Sequence, residues 1–221
     1  MQRIIQSEKE KSENLLLNIL PESIAERLKH NPSIIVDGIP SSTTLFSDIV
    51  GFTTLSEQIS PEKLIHLLNK IFSEFDNLVE NYELEKIKTI GDAYMVAAGI
   101  PMPRHDHAEV IAELALEMKS VMSKINKELD MPLNIRIGIN SGPVVAGVIG
   151  KKKFSYDLWG DSVNTASRME SHGLPGEIQI TQATYNIIKD KYNFEDRGEI
   201  SIKGKGLMQT YLLKGRKAVN S

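Results

Sequence analysis

The sequence predicts an α+β protein whose helices pack on a largely antiparallel sheet. Residues 61–79 and 107–128 place apolar side chains at the spacing of amphipathic core helices. Between these two segments, Gly91-Asp92 separates two short apolar runs, which is typical of a β-hairpin. The order strand, helix, hairpin, helix, strand gives a βαββαβ core with additional strands and helices.

The first 40 residues are predicted to form an N-terminal helical stalk. Residues 1–30 are helical in composition, with an apolar cluster at residues 15–20. The cluster fits either a weak coiled coil or an ordinary amphipathic packing helix, because polar residues occupy two seam positions of the heptad. Proline and glycine residues between positions 31 and 40 then break the chain. We therefore place the folded domain at residues 41–217 and a short tail at 218–221.

The remaining elements follow in order along the domain. Asp48 stands where the first strand would end, and Gly138, Gly142, Gly147 and Gly150 mark backbone that turns sharply or passes close to another segment. The sequence predicts a strand within 42–52, a helix from 61, strands at 84–90 and 93–98, a helix at 107–128, strands at 133–139 and 154–159, a helix at 163–170, a strand at 177–180, a helix at 182–191, and strands near 200–203 and 210–213.

Composition and charge exclude several classes of function. The chain has 221 residues, 41% hydrophobic and 25% charged, which is enough for one large domain with a real core. Its net charge of -3 provides no basic field, so we expect no nucleic-acid binding. The lack of cysteine excludes disulfides and thiolate metal sites, and it fits a cytoplasmic location. No apolar run approaches the roughly 20 residues that span a bilayer, so we expect no membrane contact from this segment.

Asp48 and Asp92 are the first candidates for chemistry. They lie 44 positions apart (92 − 48), one at a strand end and one at the tip of a hairpin that would pair with that strand. Two carboxylates brought together repel unless a cation neutralises them, which would predict a divalent metal with oxygen ligands. Alternatively, Asp48 caps a turn and Asp92 serves the Gly-Asp hairpin. Spacing alone favours this simpler interpretation.

Three longer motifs favour the metal. LFSDIVGFT at residues 45–53, KTIGDAYMVAAG at 88–99 and YDLWGDSVNTASRMES at 156–171 resemble, in the same order, segments of the class III nucleotidyl cyclases. The resemblance covers nearly all of residues 41–214. It implies a ferredoxin-like core, and a dimer with active sites in the groove between two catalytic domains.

The resemblance also implies a metal and phosphate site. Asp48 and Asp92 would hold two Mg²⁺ or Mn²⁺ ions, with the backbone carbonyl of Ile49 as a further ligand. One ion would activate the ribose 3′-hydroxyl, and the other would bind the leaving pyrophosphate. Backbone N–H groups of the turn that contains Phe52 and Thr53 would contact the phosphates.

Lys88 and Asp157 match the positions at which the family reads the base. A donor at Lys88 suits adenine N1, and an acceptor at Asp157 suits the adenine amino group. Guanine presents the opposite pattern at the corresponding atoms, so the pair favours ATP over GTP. Relatives that use GTP usually carry glutamate and a small residue such as cysteine here. Without the motifs, both residues would be interpreted as an ordinary surface lysine and a strand-end carboxylate.

The third motif contributes residues for the ribose and the transferring phosphate. Asn164 and Arg168 lie four positions apart and therefore on one helix face. By resemblance, Asn164 orients the ribose and Arg168 stabilises charge on the α-phosphoryl oxygens in the transition state. Further phosphate contacts would come from Lys203, with Lys205 as its alternative, and from Lys152 or Lys153 of the other subunit.

Two other features are interpreted as structural. His105 and His107 could suggest a metal pair, but an exposed loop that leads into a helix explains them better, with Asp106 as the N-cap. Trp159 is interpreted as a core residue.

The sequence as a whole predicts an adenylate cyclase that forms 3′,5′-cyclic AMP and pyrophosphate. One chain carries the metal aspartates, the base-reading pair and the Asn164/Arg168 pair, so a homodimer would contain two complete sites. A guanylyl cyclase and a catalytically silent nucleotide-binding or dimerisation domain are the alternatives. The start of the chain suggests a catalytic segment of a longer signalling protein, whose sensor and any membrane attachment lie elsewhere.

Overall fold

The computed structural model describes residues 2–30, 34–150 and 154–218. The described residues form seven helices and eight strands. In chain order these are α1 (Gln2–Leu17), α2 (Glu22–His30), β1 (Ile35–Ile49), α3 (Phe52–Gln58), α4 (Pro61–Asn81), β2 (Glu85–Ile90), β3 (Ala93–Ala98), α5 (His107–Leu129), β4 (Ile135–Val148), β5 (Tyr156–Trp159), α6 (Asp161–Ser171), β6 (Ile178–Thr181), α7 (Gln182–Ile188), β7 (Tyr192–Ile202) and β8 (Gly206–Arg216). No helix of these ranges is both long and apolar enough to cross a membrane.

The strands form one mixed, largely antiparallel sheet in the order β2-β3-β1-β4-β6-β8-β7, and β5 pairs with β4 outside this path. Within it, β4-β1-β3-β2 is the strand order of a ferredoxin-like βαββαβ core, and these neighbours are antiparallel. The pairing of β4 with β6 is parallel. The predicted α+β class and the ferredoxin-like core are confirmed.

Both faces of the sheet are covered at its inner strand β3. Strand β3 shows this by alternation, because Tyr94 and Val96 pack with helices α4 and α5, whereas Met95 and Ala97 pack with residues of α2 and β5. The larger core holds the fully buried Ile71, Phe75, Ile111 and Met118. The N-terminal helix α2 therefore belongs to the packed fold of the domain and covers one sheet face.

Strand β1 begins at Ile35, seven positions before the strand start predicted at residue 42. Its pairing with β4 shifts register between Ile39 and Ser42, and this irregularity lets the strand pass Pro40, which has no N–H to donate. The extension lies inside the segment predicted as the stalk. The close backbone approach predicted from the glycines occurs at Gly147, where a Cβ would lie 2.0 Å from the carbonyl oxygen of Ile35.

Candidate active site

The two aspartates predicted as metal ligands lie near each other at one end of β1. Asp48 is the penultimate residue of the strand, and Asp92 follows the left-handed Gly91 in the turn between β2 and β3. Because β3 pairs with β1, the turn folds back over the strand end. The backbone N–H of Ile49 donates a hydrogen bond to Asp92 Oδ2 at 3.2 Å. The structure therefore brings the two carboxylates together, as the sequence predicted.

An arginine and a third carboxyl group complete this cluster. Arg136, opposite Asp48 in the β1–β4 register, donates from Nε (3.1 Å) and Nη2 (2.5 Å) to the two oxygens of Asp48. Its Nε also lies 3.4 Å from Glu170 Oε1 at the end of α6. Burial, together with the neighbouring Asp48 carboxylate, raises the pKa of Glu170 to about 8. The cluster therefore favours the protonated form of Glu170 more than water does.

Burial raises the pKa of Asp92, and the negative charge of Asp48 adds to this effect. A cation placed between the two carboxylates would offset both the burial of the Asp92 charge and its repulsion by Asp48. Carboxylate oxygens are the donors that Mg²⁺ and Mn²⁺ prefer, so the residues present fit such an ion. Across the described ranges, no three His, Asp or Glu side chains gather closely enough to hold an ion by themselves. The ion would therefore need ligands from backbone, water or substrate.

Lys88 and Asp157 form an ion pair within one chain. Strand β2 shifts register between Lys86 and Lys88, and Lys88 Nζ lies 2.5 Å from Asp157 Oδ2 on β5. The second carboxylate oxygen, Oδ1, accepts a hydrogen bond from the N–H of Leu158 at 2.8 Å. The side chain of Lys88 is 40% exposed and that of Asp157 17%. The pair thus presents one donor and one acceptor side by side.

Asn164 and Arg168 share helix α6, which starts after Gly160. Asn164 is exposed and Arg168 is half-buried, whereas Ala166 and Met169 of the same helix are fully buried. Both polar residues lie on the side of α6 that faces away from the core.

The residues predicted to bind phosphate lie in several parts of the structure. Lys205 bonds to the carboxylate of Asp161 at the start of α6, whereas Lys203 is exposed in the turn between β7 and β8. Phe52 and Thr53 form the first turn of α3, directly after the left-handed Gly51. Lys152 and Lys153 lie outside the described residues.

Three structural interpretations need correction. His107 is buried, not exposed, because its ring bonds to the hydroxyls of Ser41 (2.8 Å) and Thr43 (2.7 Å). Asp106 occupies the N-cap position of α5 but makes no capping bond, since Arg104 binds its carboxylate. Trp159 is 37% exposed and lines a surface cleft, so it is not a core residue.

Sequence reasoning missed Arg136 and Glu170. Glu170 lies inside the third motif, two positions after Arg168. Arg136 lies in a predicted strand, and only the register of that strand against β1 places it opposite Asp48. Sequence alone does not reveal that register.

The chain has clear relatives. Residues 36–215 match the family described as the adenylate and guanylate cyclase catalytic domain. An adenylate cyclase of Mycobacterium tuberculosis is 46% identical over 215 residues, which cover 97% of this chain and 48% of the relative. The chain therefore spans about half the length of this curated relative.

Similar solved structures include both a guanylate cyclase domain and an adenylyl cyclase. The guanylate cyclase domain of RhGC from Catenaria anguillulae, in complex with GTP, is 40% identical with a TM-score of 0.79, covering 82% of this chain and 100% of that one. The adenylyl cyclase CyaB from P. aeruginosa is 32% identical with a TM-score of 0.79, covering 84% and 98%. The chain belongs to the family of adenylate and guanylate cyclase catalytic domains.

Proposed function

We propose that this nucleotide cyclase domain is an adenylate cyclase, which converts ATP to 3′,5′-cyclic AMP and pyrophosphate. The observation that carries the choice of ATP is the ion pair of Lys88 and Asp157. Similarity to relatives does not make this choice, because the family contains cyclases for both nucleotides.

The hydrogen-bond polarity of the pair fits adenine. Lys88 can only donate and ionised Asp157 can only accept. Adenine has an acceptor at N1 beside a donating amino group, whereas guanine has a donor at N1 beside the acceptor O6. Guanine would set donor against donor and acceptor against acceptor. A polar group left unpaired in a closed site costs about 1–3 kcal/mol, so each mismatch should disfavour GTP about tenfold.

The carboxylate cluster would hold the divalent ions. Asp48 and Asp92 supply oxygen ligands, with the backbone carbonyl of Ile49 as a third, and Arg136 partly balances their charge. When bound, two Mg²⁺ or Mn²⁺ ions promote loss of the ribose hydroxyl proton and neutralise the phosphates.

The remaining roles concern the nucleotide. The 3′-hydroxyl gives its proton to solvent and bonds to the α-phosphorus, while the bond from that phosphorus to the bridging oxygen breaks and pyrophosphate leaves. Asn164 orients the ribose for this attack. The planar guanidinium of Arg168 binds the α-phosphoryl oxygens as negative charge develops on them. Exposed Lys203 and the N–H groups of Phe52 and Thr53 contact the outer phosphates, with Lys152 as a contact from the second subunit.

The second subunit is a second copy of this chain. Val36, Val145 and Trp159 are exposed apolar residues on β1, β4 and β5, at 59%, 40% and 37%. The pairings Val36 to Gly147 and Val145 to Trp159 make them neighbours on one surface, beside a cleft of about 360 Å³. A contiguous apolar surface of this kind is typical of an interface. A homodimer would place the carboxylates of each subunit next to the Lys88, Asn164 and Arg168 side chains of the other. It would therefore contain two such sites.

The test is a change of base preference. We expect the double variant Lys88→Glu with Asp157→Cys to lose ATP turnover and to gain relative preference for GTP. The measurement is kcat/KM for ATP divided by kcat/KM for GTP, with the product identified. Lys86→Glu is the matched control, because Lys86 is the neighbouring lysine of β2 and pairs with Asp76 instead. A wild-type preference for GTP, or an unchanged ratio in a folded, active double variant, would overturn the proposal.

A further inference from the structure

Helix α6 lies directly on strand β4, and three alternating residues of β4 form the contact. Gly138, Asn140 and Gly142 point to the same face because strand side chains alternate. A Cβ on Gly138 would lie 1.9 Å from the backbone N of Glu170, and one on Gly142 would lie 2.4 Å from Ser162 Oγ. The two glycines therefore let both ends of α6 approach the strand, but they cannot fix where the helix stops along it.

Asn140 supplies a directional contact at the start of α6. Its side chain is buried at 6% exposure, and Nδ2 donates to the backbone carbonyl of Ser162 at 2.9 Å. The other amide atom, Oδ1, accepts from the hydroxyl of Thr181 at 2.7 Å. Both ends of the amide are thus engaged, which fixes its orientation.

Gln179 supplies a matching contact at the end of the helix. It is fully buried on β6, and Nε2 donates to the backbone carbonyl of Met169 at 3.0 Å. Its Oε1 accepts from Arg197, which also donates to the carbonyl of His172 at 2.7 Å. Ser162 and Met169 are seven residues apart, or about two helical turns, so both amides hold the same side of α6.

We propose that Asn140 and Gln179 are positioning residues that fix the register and rotation of α6, and thereby the placement of Asn164 and Arg168. This inference rests on the proposed roles of those two α6 residues. Contact through glycine and other small residues leaves a helix free to slide or rotate slightly, whereas two oriented hydrogen bonds at its ends do not. Misplacement of a catalytic group by about 1 Å can cost up to a hundredfold in rate.

The test removes each amide while keeping its volume. Asn140→Leu and Gln179→Met both delete the bond to α6. The matched control is Thr43→Val, because Thr43 is fully buried and its hydroxyl bonds to His107 and Ser141 rather than to α6. All three variants should be less stable than the wild type. At a temperature where each is folded, we expect kcat to fall about tenfold or more in the amide variants, with KM changed much less. Thr43→Val should keep the wild-type kcat.

A second readout does not require turnover. Trp159 is the only tryptophan of the chain and lies two positions before the start of α6. A displaced helix should change its emission maximum and its quenching by acrylamide in both amide variants, but not in Thr43→Val. If Asn140→Leu does not fold, Gln179→Met carries the test.

The possible results separate the two proposals. Unchanged Trp159 fluorescence together with a kcat loss no larger than that of Thr43→Val would overturn the positioning roles. Turnover is measured with whichever nucleotide the wild type cyclises, so a preference for GTP would contradict the choice of ATP alone. A wild type that cyclises no nucleotide would contradict the proposed function, and the fluorescence would still decide whether the two amides fix α6.

Discussion

Replacement of Arg136 by methionine tests the electrostatics of the carboxylate cluster. The guanidinium makes two hydrogen bonds to Asp48 and lies 3.4 Å from Glu170. Methionine keeps much of the side-chain volume and removes the charge. Asp48 and Asp92 then lose their nearest cation, and their mutual repulsion is no longer balanced.

The size of the effect follows from burial. Breaking a fully buried ion pair costs about 3–5 kcal/mol, but Arg136 and Asp48 are 29% and 19% exposed, so we expect about 2 kcal/mol. For a chain of this length, that lowers Tm by about 4–8 °C. A divalent cation should reverse the loss, since saturation at a hundred times Kd contributes about 2.7 kcal/mol. Removal of a competing positive charge should also tighten cation binding at Asp48.

The assay is thermal unfolding with and without Mn²⁺, and then with Mg²⁺. Arg104→Met is the control, because Arg104 binds Asp106 with the same fork geometry at a similar exposure of 27%. Both variants should lose stability without metal. Only Arg136→Met should show a larger rise of Tm with Mn²⁺ than the wild type does. Equal metal-induced shifts in all three proteins would refute the assignment of this cluster as a cation site.

Two further predictions concern the dimer and the pH dependence of stability. Asp48→Ala and Arg168→Ala should each be inactive, but an equal mixture after subunit exchange should regain about a quarter of the wild-type activity, because half of the dimers then hold one intact site. An exchanged mixture that stays inactive contradicts the shared site. Burial raises the pKa of Glu85 to about 7 from 4.5, so the folded state binds this proton more tightly, and the free energy of unfolding falls as pH rises from about 4.5 to 7. Glu85→Gln should remove up to about 3 kcal/mol of this pH dependence in urea unfolding between pH 5 and 8. If the free energy of unfolding changes with pH in the same way in the variant and the wild type, this assignment to Glu85 is wrong.

The sequence predicted the elements that obey local rules. Helices α4 and α5 follow from apolar periodicity, and the β2–β3 hairpin follows from Gly91-Asp92. Strand β1 was predicted too short because Pro40 is a strand breaker by local rules, and the register shift that accommodates it depends on pairing with β4. The packing of α2 on the sheet could not be predicted from the local sequence either, since it depends on a surface formed by strands distant in the chain.

The sequence predicted the residue types of the site and the approach of Asp92 to Asp48, but not the other contacts. The motifs led to Asp48, Asp92, Lys88 and Asp157. The structure bonds Asp92 to the backbone of Ile49, next to Asp48, and pairs Lys88 with Asp157. Arg136 had no such signal, because its importance comes from its register opposite Asp48. His107 was misinterpreted because a polar local sequence suggests exposure, whereas buried hydroxyl partners on β1 satisfy its ring.

Helix α6 connects the two proposed sites of a homodimer. Its last turn carries Glu170, which contacts Arg136 beside the Asp48 of the same subunit. Its outer side carries Asn164 and Arg168, which would act with the Asp48 of the other subunit. A shift of α6 in one subunit would therefore alter the cation cluster of one site and the transition-state contacts of the other, whereas loss of Asp48 would affect a single site. This double role explains why the helix would need buried amides at both ends: Asn140 holds the end near Asn164, and Gln179 holds the end near Glu170.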